Sequence, residues 1–234
     1  MDTTTGTGNP YRRMAQLTGV LLLIMATAAI AGATATAESL RDSPGLFRLG
    51  AVASLVTFML DVPVAVLFYL LLRHVSPAVA MVSAAFRLVY AAMIGALLAL
   101  LYAALPAITT GSSIGGQDGQ GVVTAAGAFG MYADGFTLAL GFFGVHLLLL
   151  GWLLWESRQL PRVFGALIVL GGAGYLGHAL LLLLAPDLAD SIGTMLAVLG
   201  FSELLLALWL AGKGLRPSSP DGLREAGQVS HGAS

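Results

Sequence analysis

Five ionisable side chains fall deep inside long apolar runs of this sequence: Asp61, Arg87, His146, His178 and Glu203. An ionised group at the centre of a lipid-facing helix costs about 2.5 to 3.5 kcal/mol even on a mild insertion scale. Such residues persist where they pair with one another, bind a ligand or carry protons. Two carboxylates, a guanidinium and histidines could form a structural ion pair, line a polar cavity, or serve as acid, base and anion holder. Metal chemistry has little support: the chain has no cysteine, and two histidines on separate runs without a His-Glu-x-x-His spacing do not make a recognisable site. No Gly-x-Ser-x-Gly nucleophile turn occurs within the runs. No cofactor is implied, and no catalytic residue can be assigned.

Spacing indicates which way these residues face, because positions four and seven apart share a side of a helix. Arg87 is followed by Ala91, Gly95, Ala99 and Ala103, a ridge of small residues of the kind that lets helices approach closely. Arg87 is therefore expected to face protein, and the Ala91, Gly95, Ala99 ridge is a candidate contact for a second copy or a membrane partner protein. Asp61 shares its face with Ser54, Thr57 and Ala65, and Pro63 deprives the Met59 carbonyl of its usual donor. Glu203 lies with Gly200 and Ala207, and His178 with Gly171 and Gly174, so both are expected to face inward. His146 is ambiguous: Ala139, Phe142, Phe143 and Leu150 mark one side of its helix, and Thr137, Gly141, Gly144, Leu148 and Gly151 the other. Arg48 and Asp134 lie near run ends, where a charge reaches the interface.

The elements that carry these residues follow from composition. Of 234 residues, 57% are hydrophobic and 10% charged, against roughly 25% charged in a soluble domain; mean hydropathy is +0.88. A soluble domain, a disordered chain and a nucleic-acid binder are excluded, and membrane lipids are the expected surroundings. Apolar runs at 17–32, 49–72, 78–104, 132–155, 163–185 and 192–212 predict six transmembrane helices in an all-α bundle. The breaks hold Pro44, Pro77, Pro106, Pro161 and Pro186. At about 1.5 Å per residue, Asp61 and Glu203 fall near mid-span. Arg87 and His146 lie about 5 to 6 Å to one side, and His178 about 6 Å to the other.

Of the eleven Lys and Arg residues, eight fall on one side of this arrangement (Arg12, Arg13, Arg73, Arg158, Arg162, Lys213, Arg216 and Arg224) and two, Arg41 and Arg48, on the other. The positive-inside rule then places both termini in the cytoplasm of a cell whose plasma membrane holds the chain. Trp152, Trp155, Trp209 and Tyr69 lie near the cytoplasmic ends of their runs, as interfacial anchors do. An alternative is that Arg12, Arg13, the first run and Ala35-Thr36-Ala37 form a cleavable signal peptide, leaving five spans. The segment from Glu38 to Arg48 is expected to lie along the outer surface. Leu105 to Gly121 is glycine-rich with no Lys or Arg, which suits an outer loop and not a phosphate cradle. Residues 1–16 and 214–234 read as cytoplasmic tails, the second disordered in composition and containing His231.

Several short stretches, in order, resemble a bacterial membrane-protein family catalogued as domain of unknown function 4386: Gly45-Leu46-Phe47-Arg48-Leu49-Gly50, Asp61, Phe86-Arg87-Leu88-Val89, Phe143-Gly144-Val145-His146 with Leu150-Gly151, Leu160-Pro161-Arg162 and Gly174-Tyr175-Leu176. The resemblance runs from the first span to about Lys213 and implies a helical membrane bundle with no assigned activity. Arg48, Asp61, Arg87 and His146 match the family's pattern. His178 stands where an acidic residue is common, and Tyr90 where a glutamine is.

Three functions compete. A binder or transporter of a small solute, lipid or proton would use Asp61, Arg87, Glu203 and His146 as its polar centre, with Arg48 and His178 as secondary candidates. An intramembrane acid/base enzyme acting on a lipid-like substrate would use the same groups; it is the less favoured reading. A helper or sensor subunit would use the Asp61–Arg87 pair purely for structure. No inverted repeat and no paired broken helices are visible.

Overall fold

The computed structural model describes residues 10–110, 125–189, 191 and 201–214. The first half of the expected 192–212 span, most of the glycine-rich loop and the C-terminal tail with His231 lie outside the described residues. Those that are described form helices and no strands: α1 (Pro10–Gly32), α2 (Ala37–Asp42), α3 (Pro44–Leu72), α4 (Pro77–Thr110), α5 (Ala125–Ser157), α6 (Arg162–Leu184) and α7 (Phe201–Lys213).

Local chemistry sets the boundaries. Prolines open α1, α3 and α4, where a missing N–H costs nothing and φ is preset for a helix. The polar stretch after the first run forms the short α2, started by a capping box in which Thr36 Oγ1 accepts from Ser39 N and Ser39 Oγ from Thr36 N. Gly214 ends α7 at φ +66° with its N–H on the Leu210 carbonyl, a left-handed cap that favours glycine. α1 begins at Pro10, ahead of its apolar run, because Tyr11, Arg12 and Arg13 continue the helix.

Among the described residues five helices, α1, α3, α4, α5 and α6, are long and apolar enough to cross a membrane. Their outward faces carry large apolar residues such as Leu49, Met59, Leu100, Leu183 and Leu184, each more than 60% exposed. A soluble protein does not present an apolar surface of that extent; lipid-facing helices do.

The helices pack in chain order: α1 on α3, α3 on α4, α4 on α5, α5 on α6, and α7 back against both α6 and α1. Two seams are drawn in to backbone contact. A Cβ on Gly172 would stand 2.6 Å from the Gly144 carbonyl oxygen, and one on Gly151 2.8 Å from that of Gly165, so the α5–α6 pairing admits only glycine at these crossings. On α1, a Cβ at Gly19 would stand 2.7 Å from the Ala207 carbonyl oxygen.

One end of the bundle is tied together. Tyr11 OH donates to the Leu71 carbonyl and lies 3.1 Å from His74 Nδ1, while the Gln159 amide reaches His74 Nε2 at 3.2 Å. A Cβ at Gly214 would meet Arg12 Cγ at 2.9 Å. The start of α1, the α3–α4 turn, the α5–α6 turn and the end of α7 therefore share this end; below it is called the Gly214 end. The α2 segment marks the opposite one.

Candidate functional site

Four helices bring the buried charges to one point. Asp61 sits on α3, Arg87 on α4, His146 on α5 and Glu203 on α7. Arg87 Nε donates to Asp61 Oδ1 at 2.8 Å, and its Nη1 donates to Glu203 Oε1 at 2.9 Å. The same Nη1 lies 3.2 Å from His146 Nε2. Asp61 and Arg87 are each 1% exposed and His146 0%; the Glu203 side chain retains 20%. The guanidinium carbon is 5.1 Å from the Phe143 ring centre and 6.0 Å from that of Phe68, a cation against two rings.

The hydrogen bonds fix the state of His146. A guanidinium N–H only donates, so Nε2 must accept and the ring proton belongs on Nδ1. Nδ1 lies 2.9 Å from the Ser83 carbonyl oxygen, which takes that proton. Ser83 Oγ is then left to donate to the His146 carbonyl at 3.2 Å, although it stands 2.9 Å from Nδ1. The pairing superficially resembles a nucleophile and its base, but the histidine lone pair is already directed at Arg87, so it has none to offer the hydroxyl. Among the described residues no three side chains converge to hold a metal.

Beside this cluster lies a cavity of about 370 Å³ whose wall includes Asp61, Arg87, Tyr90, Phe143, Tyr175 and Glu203. A second, of about 360 Å³, shares Ala29, Thr57, Tyr90 and Phe136 with it and continues along Gly32, Ser54 and Ala133. Together they lead from the charges toward the α2 end. In the other direction Phe68, Leu71, Leu72, Leu147, Leu150 and Leu210 form buried core. Asp61, Arg87 and Glu203 thus form the polar floor of this space, called the vestibule below, with buried core on its other side. Asp61 Oδ2, buried beside the cavity, has no hydrogen-bond partner among the described residues.

All four primary candidates from the sequence, Asp61, Arg87, His146 and Glu203, are brought together. The two secondary candidates are not: Arg48 is exposed near the start of α3, and His178 is half-buried on α6, away from the cluster. Arg87 faces protein as expected, and the ridge that follows it is buried within this chain only at its start. Ala91 is buried, but Ala99 is exposed and a Cβ on Gly95 would meet nothing within 4 Å. A four-residue step turns about 40° more than a full revolution, so the line drifts off the inner face, which instead follows Arg87, Tyr90, Ile94, Leu98 and Leu101. Ser83, Tyr90 and Tyr175 join the site without having been singled out for it; Ser83, one turn before Arg87, was the most accessible of them to spacing arguments.

Helices of this length and apolarity around a buried charge cluster define a membrane-type helical protein. The chain belongs to the family described as domain of unknown function (DUF4386), which it matches over residues 17–214. It is 32% identical over 167 residues to a protein of Archaeoglobus fulgidus described as uncharacterized, covering 71% of this chain and 85% of that one. A relative in an archaeon means that the similarity is not confined to bacteria. No solved structure matches the chain.

Proposed function

We propose that this protein is a six-span membrane protein that binds a small solute in the vestibule floored by Asp61, Arg87 and Glu203 and hands it across the membrane. The observation that carries this reading is Asp61 Oδ2, unpartnered among the described residues, beside a cavity that Asp61, Arg87 and Glu203 line. A pair serving structure alone would be expected to satisfy its buried acceptors and to pack without space around them. The cavity also falls within the roughly 300–1,000 Å³ of small-molecule sites. A polar site backed by packed core on one side is compatible with one state of an alternating-access carrier.

Orientation follows from charge. Eight of the eleven Lys and Arg residues belong to the Gly214 end or to segments flanking it; the positive-inside rule makes that end cytoplasmic and lets the vestibule face outward. The 192–212 run supplies the sixth span, with α7 as its cytoplasmic half.

The test incubates the full chain, reconstituted in proteoliposomes, with an external mixture of labelled cell metabolites and counts what is retained inside after washing. Retention of a solute by wild type, lost in both Asp61→Asn and Glu203→Gln, supports the reading. Equal retention by wild type and both variants rejects it.

A further inference from the structure

The charges at the floor of the vestibule do not balance. Asp61 and Glu203 bring two carboxylates to a single guanidinium. His146 adds nothing, since its hydrogen bonds to Arg87 and to the Ser83 carbonyl hold it as the neutral Nδ1–H tautomer. With the carboxylates ionised, one negative charge is left over in surroundings of low dielectric, where a counter-charge is attracted far more strongly than in water. Acceptors remain for it: Asp61 Oδ2 is buried without a partner among the described residues, and Glu203 lines the cavity with part of its side chain exposed. The single positive charge of Arg87 is already shared between two carboxylates, through Nε and Nη1, so the floor offers an anion no net attraction. The remaining wall is aromatic and aliphatic, formed by Tyr90, Phe136, Phe143 and Tyr175 with Leu22 and Leu140. Aromatic walls around an acidic floor suit a cation with an apolar body.

We propose that the vestibule takes a small organic cation, a protonated amine on an apolar body. Its ammonium is held by Glu203, whose side chain is partly open to the cavity, with Asp61 supplying the second negative charge behind it, and its body lies among Tyr90, Phe136, Phe143 and Tyr175. A bare proton would neutralise the same charge but needs no cavity of 370 Å³, and a hard metal cation would seek a shell of oxygens that these rings do not provide. The inference rests on the vestibule being a binding site and adds the charge class of its occupant.

Three probes of one shape separate the possibilities: benzylammonium, benzyl alcohol and benzoate, measured by equilibrium dialysis against the full chain in nanodiscs at pH 7. Benzylammonium is expected to bind at least tenfold more tightly than benzyl alcohol, and benzoate more weakly than either. Asp61→Asn keeps an acceptor for Arg87 while removing the surplus charge, and Glu203→Gln does the same at a less buried position. Each should weaken benzylammonium at least tenfold and benzyl alcohol far less, so that the preference for the cation is lost. Ala26→Phe, which fills the cavity wall, should abolish binding of both. If benzyl alcohol or benzoate binds as well as the ammonium and Ala26→Phe removes it, the cation assignment is overturned and the vestibule stands. If no probe binds, or if binding survives Ala26→Phe, the cation assignment and the vestibule fall together.

Discussion

Replacing Arg87 with leucine tests whether the buried charges depend on one another. The substitution removes three contacts, at 2.8 Å to Asp61, 2.9 Å to Glu203 and 3.2 Å to His146. It leaves Asp61, 1% exposed, as an unpaired carboxylate beside a second one. Breaking a buried pair from one side costs about 3–5 kcal/mol, most of it the penalty of the charge left behind. Arg87→Leu should therefore lower stability by about 4 kcal/mol in equilibrium unfolding in mixed micelles. The origin of that loss can be separated from packing by removing the orphaned charges as well. The triple variant Arg87→Leu, Asp61→Asn, Glu203→Gln should recover at least half of it, because well-packed neutral groups often replace a buried ion cluster at little cost. A loss below about 1 kcal/mol, or a triple variant no more stable than Arg87→Leu alone, would show that the buried charges do not depend on one another.

Gly172→Ala should destabilise by about 1–3 kcal/mol, since its Cβ would meet the Gly144 carbonyl oxygen at 2.6 Å and Leu148 N at 2.8 Å. Gly177→Ala, with nothing within 4 Å, should be neutral or slightly stabilising in the same unfolding assay. Ser83→Ala should cost only about 0.5–1.5 kcal/mol and leave probe binding unchanged, because the Ser83 carbonyl, not its hydroxyl, holds His146; abolished binding would contradict that tautomer. The chain has no cysteine, so single cysteines report sidedness directly: an impermeant maleimide added to intact cells should label Ser43→Cys and not Glu156→Cys. The reverse pattern would invert the orientation.

The cluster was legible because charge is expensive in lipid. Asp61, Arg87 and Glu203 stand out against their runs, and placing each inward leaves few partners for them except one another. His146 was ambiguous for a physical reason: α5 packs between α4 and α6, so both of its faces are covered. The charged face meets Arg87, and the glycine face meets α6 through Gly144 and Gly151. Ser83 was hidden because a helix serine commonly bonds its own backbone, and here it is the main-chain carbonyl that matters. The line from Arg87 through Gly95 leaves the inner face of the bundle because an exact four-residue repeat does not follow a 3.6-residue helix. The vestibule itself had no signature. It is space left among Tyr90, Phe136, Phe143 and Tyr175 by packing, and no single residue encodes it.

Thr57 lies on the wall shared by the two cavities, one helical turn from Asp61, and its replacement by cysteine probes the vestibule at its middle. Right-side-out and inverted vesicles carrying Thr57→Cys would be treated with a membrane-impermeant, water-soluble methanethiosulfonate. With the proposed orientation, modification should be rapid from the extracellular face, slowed by benzylammonium, and absent from the cytoplasmic face, toward which Phe68, Leu71 and Leu72 form buried core. Modification from the cytoplasmic face alone, or none from either, would contradict a vestibule that leads from outside to the Asp61–Arg87–Glu203 floor.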